Sequence, residues 1–402
     1  MPALGTAPPT RLRRARLAVG ACFFVNAVLY ANLVPRLPEV KADLGLSNSA
    51  LGAALAAMPL GALLAGISSA VFIRRFGSAR VASAGLFLLA VAVWGAAAAP
   101  NWPLLAGALL LAGALDAVVD VAQNAHGLRV QRGYGRSILN AFHGIWSIGA
   151  VSGGLLGSAA AGLGVPLPVH LAVVGLLFGV PALFGSRAML PGHDDTERDA
   201  AEAGSPPSPA TTRSLRRAAL PAMAALGVLA ACGAFVEDAG ASWSALYLRD
   251  ELAAGAAAAG LGFVALSVAM TVGRLTGDRV VDRFGQRRVV RAGGALTAAG
   301  MGLALAVPSI PTTLLGFALA GLGVATLVPA VYHAADELPG LPRGLGLAIV
   351  NWLLRIGFLL SPLLIGVVAD ATSLRLALVT VVLAGIGALT FGRVLPRTVA
   401  GG

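Results

Sequence analysis

Apolar stretches of about twenty residues follow one another along the chain, separated by short polar interruptions. A run of about 20 mostly apolar residues matches the bilayer core crossed by one α-helix, the structure that satisfies its own backbone hydrogen bonds in lipid. Twelve such runs occur, at about 15–37, 50–73, 81–100, 102–127, 138–163, 166–187, 218–246, 255–276, 289–307, 311–332, 345–369 and 373–392. The pattern predicts an all-α polytopic membrane protein with 12 transmembrane helices. One interruption is long. Residues 189–217 carry His193-Asp194-Asp195 and Ser205-Pro206-Pro207-Ser208-Pro209, a composition that cannot bury a core and reads as a flexible linker. It separates a six-helix bundle at 1–188 from a second at 218–402.

The two bundles repeat each other. Residues 75–85 read RFGSARVASAG and residues 283–293 read RFGQRRVVRAG, matching at seven of eleven positions with an offset of 208. The same offset pairs Ile148-Gly149 with Ile356-Gly357, and Leu155-Leu156 with Leu363-Leu364. Two parallel six-span repeats are an architecture of secondary transporters.

Composition agrees with the bilayer as solvent. The 402 residues are 57% hydrophobic and 12% charged, with a mean hydropathy of +0.83, too few charges to cover a soluble protein of this size. The net charge of +11 follows from topology and not from nucleic-acid binding. With the N-terminus inside, 23 basic residues fall on the cytoplasmic side and four outside, namely Arg36, Lys41, Arg249 and Arg375. That bias places both termini in the cytoplasm. The chain is expected in the plasma membrane as a multi-pass protein. Arg11-Leu12-Arg13-Arg14 resembles the start of a signal peptide, but the following run is long and continues through Asn26 and Asn32 as a first span. Cys22 and Cys232 sit in apolar runs and suggest neither disulfide nor metal.

Ionisable groups at membrane depth face a cavity or a partner. Asp116 and Asp120 are one turn apart on the fourth span, and Gln123 continues their stripe. Asp120 lies about 13 Å and Asp116 about 20 Å from the cytoplasmic end near Arg129. Two neighbouring carboxylates favour retention of one proton, which makes both candidates for proton coupling. His143, about 10 Å in from Arg136 on the fifth span, matches Asp120 in depth and is expected to form a proton-sensitive pair with it. Glu237, about 30 Å from Arg217, is expected at an outer mouth, with Asp238 beside it and with Trp243 and Tyr247 as interfacial anchors. Arg355, about 18 Å from Arg343, wants an acid or an anionic substrate, and Asn351 shares its face. Arg274 is expected to belong to the cytoplasmic loop network with Asp278. Asn26, Asn32, Asn124 and Asn140 are candidate cavity hydrogen-bonders, and Trp146 and Trp352 candidate stacking surfaces.

The run Gly277-Asp278-Arg279-Val280-Val281-Asp282-Arg283-Phe284-Gly285-Gln286-Arg287-Arg288 resembles the loop signature of the major facilitator superfamily. Asp278, Arg279, Asp282, Arg283, Gly285 and Arg288 are its loop-motif residues. In the first half the matching stretch is Arg74-Arg75-Phe76-Gly77-Ser78-Ala79-Arg80, with Arg75 and Gly77 in place and Arg74 where the acid stands. Leu33-Val34-Pro35-Arg36-Leu37-Pro38, Leu44-Gly45-Leu46-Ser47, Asp120-Val121-Ala122-Gln123-Asn124-Ala125, Phe142-His143-Gly144-Ile145-Trp146-Ser147-Ile148-Gly149 and Trp243-Ser244-Ala245-Leu246-Tyr247-Leu248 resemble a bacterial subgroup related to fucose permeases. The resemblance implies a monomeric secondary transporter with alternating access, a small polar solute as substrate and protons as coupling partner, without a cofactor. An exporter of a metabolite or drug-like compound, and a non-transporting sensor or scaffold on the same fold, are the alternatives. No Walker loop, metal-ligand spacing or other enzyme signature is present in the sequence.

Overall fold

The computed structural model describes residues 10–66, 68–135, 138–192, 212–338 and 345–396. Most of the linker, together with Arg136, Arg198, Arg343 and Arg397, lies outside the described residues. Among the described residues twelve helices are long and apolar enough to cross a membrane. In chain order they are Thr10–Asp43, Asn48–Gly66, Ser78–Ala97, Trp102–Tyr134, Leu139–Gly162, Leu167–Ala188, Leu220–Glu251, Ala256–Phe284, Gln286–Ala306, Ile310–Asp336, Leu345–Ala371 and Leu374–Val394. They are called the first to the twelfth span below. The fold is all-α, as the hydropathy pattern predicts.

Several helices outrun their apolar runs. The fourth continues to Tyr134 and the eighth to Phe284, because the helical hydrogen-bond ladder persists where side chains turn polar. The second run, read as one helix over 50–73, consists of Asn48–Gly66 followed by Ser69–Phe76. The tenth is split into Ile310–Val324 and Leu327–Asp336. The seventh ends in a π-helical turn, Tyr247–Glu251.

The repeat reappears as matched local geometry. Gly77 has φ 81° and ψ 146°, and Gly285 has φ 81° and ψ 143°. Each donates its N–H four residues back, to Ile73 O and Val281 O, both at 2.8 Å. Each then accepts from the first turn of the next helix, from Val81 N at 3.1 Å and Val289 N at 3.2 Å. The preceding Arg75 and Arg283 lie over the rings of Phe76 and Phe284 at 5.4 and 5.5 Å. The offset of 208 also joins two helix starts. Asn101 Oδ1 accepts from Leu104 N at 3.1 Å, and Ser309 Oγ accepts from Thr312 N at 3.3 Å. Proline follows two residues later in both, at Pro103 and Pro311, where its missing N–H costs nothing.

A left-handed φ with extended ψ is glycine territory, and other residues there cost about 1–3 kcal/mol. Gly77→Ala and Gly285→Ala are each expected to lower the yield of folded, monodisperse protein, and the double exchange to lower it further. Equal yields from the double variant, read by size-exclusion profile, would contradict the requirement.

By contact the chain divides into two compact units. One holds Met1–Leu33, Leu60–Gly153 and Pro166–Gly204; the other holds Val34–Pro59, Gly154–Val165 and Ser205–Gly402. In the first unit Phe23 stacks on Phe142 at 5.5 Å, inside a cluster with Ala15, Val19, Val130 and Ile138. The fifth span lies against the first through Gly149 and Gly153, where an added Cβ would stand 2.5 Å from Phe24 O and 2.8 Å from Val28 O. In the second unit Gly357, the repeat partner of Gly149, faces Ala231 and Ala234 of the seventh span. Small residues replace side-chain interlock by close backbone approach.

Candidate functional site

In the first unit one amide joins three spans. Asn26 Nδ2 donates to Asp116 Oδ1 at 2.7 Å, and Trp146 Nε1 donates to Asn26 Oδ1 at 2.9 Å. Both ends of the Asn26 amide are therefore used with matching polarity. Trp146, expected as a stacking surface, holds Asn26 in orientation through its indole N–H. Asp120, one turn below Asp116, accepts from Asn124 Nδ2 at 2.9 Å and from Gln123 Nε2 at 3.5 Å, both on its own helix. His143 stands edge-on to Phe23 with centroids 5.2 Å apart. Asn140 is exposed near the start of the fifth span.

Asn32 differs from the cavity role expected of it. It is completely buried, with Nδ2 donating to Val28 O at 2.7 Å and Oδ1 within 3.0 Å of His170 Nε2. It ties the end of the first span to the sixth.

His126 went unnoticed in the sequence, one more polar residue near the end of a long apolar helix. It is fully buried. Leu190 N–H donates to Nε2 at 3.1 Å, so Nδ1 carries the proton and donates to Ser78 Oγ at 2.8 Å. Arg129, one turn on, donates to Pro191 O at 2.8 Å and Gly192 O at 3.1 Å. The chain leaving the sixth span is thereby strapped to the fourth.

In the second unit Glu237 and Arg274 form an ion pair at 3.4 Å. This corrects both expectations. Glu237 is not at an outer mouth, because the seventh span continues to Glu251, about 20 Å further along the axis. Arg274 does not belong to the loop network, since it joins the eighth span to the seventh. Asp238 accepts from Ser242 Oγ at 3.0 Å. Trp243 and Tyr247 are corrected too. Both are wholly buried, so they are core residues of this unit and not lipid anchors.

Tyr332 OH donates to Asn351 Oδ1 at 3.0 Å. These two residues with Leu347 and Ala348 line a cavity of about 310 Å³. Arg355 is one turn beyond Asn351 on the same helix. Trp352 is 60% exposed and points about 100° around the helix from Asn351. Asp278, Arg279, Asp282, Arg283 and Arg288 are all exposed, around the buried Gly285.

The four basic residues assigned to the outer side are all bound to protein acceptors. Arg36 donates to Glu39 at 2.8 and 2.6 Å and to Val165 O at 2.6 Å. Lys41 pairs with Asp250 at 2.8 Å. Arg249 donates to Ala254 O at 3.3 Å and Arg375 to Leu305 O at 2.7 Å. Asp370, which sequence reasoning passed over, accepts from Asn48 N at 2.9 Å and Ser49 N at 2.8 Å. A carboxylate from the eleventh span thus caps the N-terminus of the second, where the helix dipole favours it. Asp370→Ala is expected to raise the reactivity of a cysteine placed at Ser49 toward a membrane-impermeant thiol reagent several-fold. Unchanged labelling would mean that the cap does not hold this segment.

The profile of the Major Facilitator Superfamily matches residues 19–248 and 226–401. The chain belongs to the major facilitator superfamily. It is 30% identical over 360 residues to the uncharacterized transporter y4wD of Sinorhizobium fredii (strain NBRC 101917 / NGR234), covering 89% of this chain and 92% of that protein. It is 31% identical over 375 residues to the membrane protein MosC of Rhizobium meliloti, covering 92% and 87%. Among solved structures, the nucleoside transporter NupG superposes with a TM-score of 0.75 at 13% identity, covering 94% of this chain and 98% of that one. The fucose transporter FucP in an outward conformation gives 0.63 at 18%, covering 95% and 99%. These two likenesses establish the facilitator fold. The chain is a multi-pass membrane protein and a major facilitator transporter by family.

Proposed function

We propose that this facilitator is a secondary active transporter that moves a small polar solute across the plasma membrane by alternating access, coupled to protons. The observation that carries the reading is the Asp116–Asp120 stripe, two carboxylates one turn apart at membrane depth, one of them held by Asn26. Charges so placed are costly in a scaffold and useful in a carrier. Solved proteins of similar fold include a D-xylose–proton symporter and the fucose:proton symporter of E. coli. The resemblance of the stretches around Leu33, Asp120, Phe142 and Trp243 to the fucose-permease subgroup supports this reading. The chain acts as a monomer and as a carrier, not an enzyme.

Both termini face the cytoplasm in this reading. The four basic residues left outside each answer a local acceptor, which supports the positive-inside assignment. The moving bodies are the repeats, 1–188 and 218–402. Segments 34–59 and 154–165 belong to the first repeat by sequence but group by contact with the second.

The reading is tested in proteoliposomes with an imposed pH gradient and a panel of radiolabelled polar metabolites. Accumulation that follows the gradient is the expected result. Uptake indifferent to it removes proton coupling, and no flux of any compound by folded protein removes transport.

A further inference from the structure

Arg355 sits ten residues into the eleventh helix, Leu345–Ala371, about 15 Å along its axis. It is half-buried and forms no hydrogen bond or ion pair with any described residue. The other basic residues described in this unit are either held by protein groups or exposed near the ends of their spans, as Arg279, Arg283, Arg288 and Arg393 are. Arg36, Lys41, Arg249, Arg274, Arg291 and Arg375 each donate to a protein acceptor. A guanidinium keeps its charge at any physiological pH and offers five N–H donors in a rigid fork. At membrane depth such a group calls for an anion.

Its surroundings suggest which anion. Ala348 and Asn351 precede Arg355 by seven and four residues, hence lie on the same helix face. Both line the cavity of about 310 Å³ together with Tyr332 and Leu347. Asn351 Oδ1 is occupied by Tyr332 OH, and its amide N–H₂ remains a donor. The cavity thus presents hydrogen-bonding groups and an apolar wall, and Arg355 stands one turn further along the same helix. Arg355 is the one basic residue of this helix, and its single fixed charge balances a monoanion. The opening is wide and not enclosed, and its volume of about 310 Å³ leaves room for a metabolite of sugar size.

We propose that Arg355 binds the carboxylate of the transported solute, and that this solute is a small hydroxy acid whose hydroxyl groups meet Asn351 and Tyr332. The inference rests on the transporter reading above and adds the substrate class to it. A planar carboxylate matches the guanidinium fork with two parallel hydrogen bonds.

The test uses the full-length protein purified in detergent. Hydroxy acids of three to seven carbons, from lactate to glucoheptonate, are compared with their neutral polyol counterparts by thermal shift. Ligands that bind only the folded state raise the melting temperature with concentration. At least one acid is expected to stabilise the protein where its polyol does not. Arg355→Met should abolish that effect, and Arg355→Lys, which keeps the charge but loses the fork, should weaken the apparent affinity at least tenfold. The ligand-free melting curves of both variants establish that they fold. Equal stabilisation by acids and polyols, no stabilisation by any acid, or an acid effect that survives Arg355→Met each overturns the proposal. Flux in proteoliposomes is read separately. Polyol flux without acid preference overturns the carboxylate site and leaves the transporter reading standing, whereas acid binding without flux retains the site and counts against transport.

Discussion

Exchange of Asp120 for Asn is expected to abolish pH-gradient-driven accumulation while leaving exchange of labelled for unlabelled solute close to the wild-type rate. Asn is nearly isosteric with Asp, and its carbonyl oxygen still accepts from Asn124, which donates to Asp120 Oδ1 at 2.9 Å. The local helix geometry is therefore preserved. What disappears is a group that can gain and lose a proton, and without it solute movement no longer carries protons. With one proton per solute, each pH unit supports about tenfold accumulation, the equivalent of 1.4 kcal/mol; in the variant this ratio is expected to fall to unity. The same exchange at Asp116 adds a second arm. Asp116 receives the Asn26 amide at 2.7 Å, so Asp116→Asn keeps an acceptor there and tests the charge alone. Accumulation that still follows the gradient in the double Asn variant would reject this stripe as the coupling site.

The second large effect is on stability. Leu at Gly149 is expected to prevent accumulation of folded protein, and Ala there to lower its apparent melting temperature by several degrees. The first added carbon would stand 2.5 Å from the backbone oxygen of Phe24, and backbone cannot swing aside as a side chain can. Overpacking of this kind costs about 1–3 kcal/mol or more. At Gly357, the repeat partner, the nearest atoms are Ala234 Cβ at 2.9 Å and Ala231 Cα at 3.1 Å. Gly357→Ala is therefore expected to be milder than Gly149→Ala. Gly302, with nothing within 4 Å, is the control, and Ala there is expected to leave the melting temperature unchanged. The order Gly149, Gly357, Gly302 is the falsifiable content, read by melting in detergent.

Much of the architecture is determined by the sequence alone, because each span must satisfy the bilayer by itself. Hydropathy located all twelve helices, and the offset of 208 marked the repeat that the structure shows as matched glycine turns at Gly77 and Gly285, since a left-handed turn needs the residue that tolerates it. The loop signature gave the family for the same local reason. Contacts between helices were decided by the tertiary structure. Asn26 meets Asp116 and Trp146 across 90 and 120 residues, Glu237 meets Arg274 on the next helix, and Asp370 finds the start of the second span. Depth counted along a single helix put Glu237 at a mouth and Trp243 at the membrane interface, whereas Glu237 pairs with Arg274 and Trp243 is buried in the unit. The helices are rich in Ala, Leu and Gly on every side, so no strong polar stripe declares how each is rotated about its axis. Rotation and depth are fixed instead by close backbone contacts at glycines such as Gly149 and Gly357. Those contacts decide which of the few charged side chains finds a partner and which, like Arg355 among the described residues, does not.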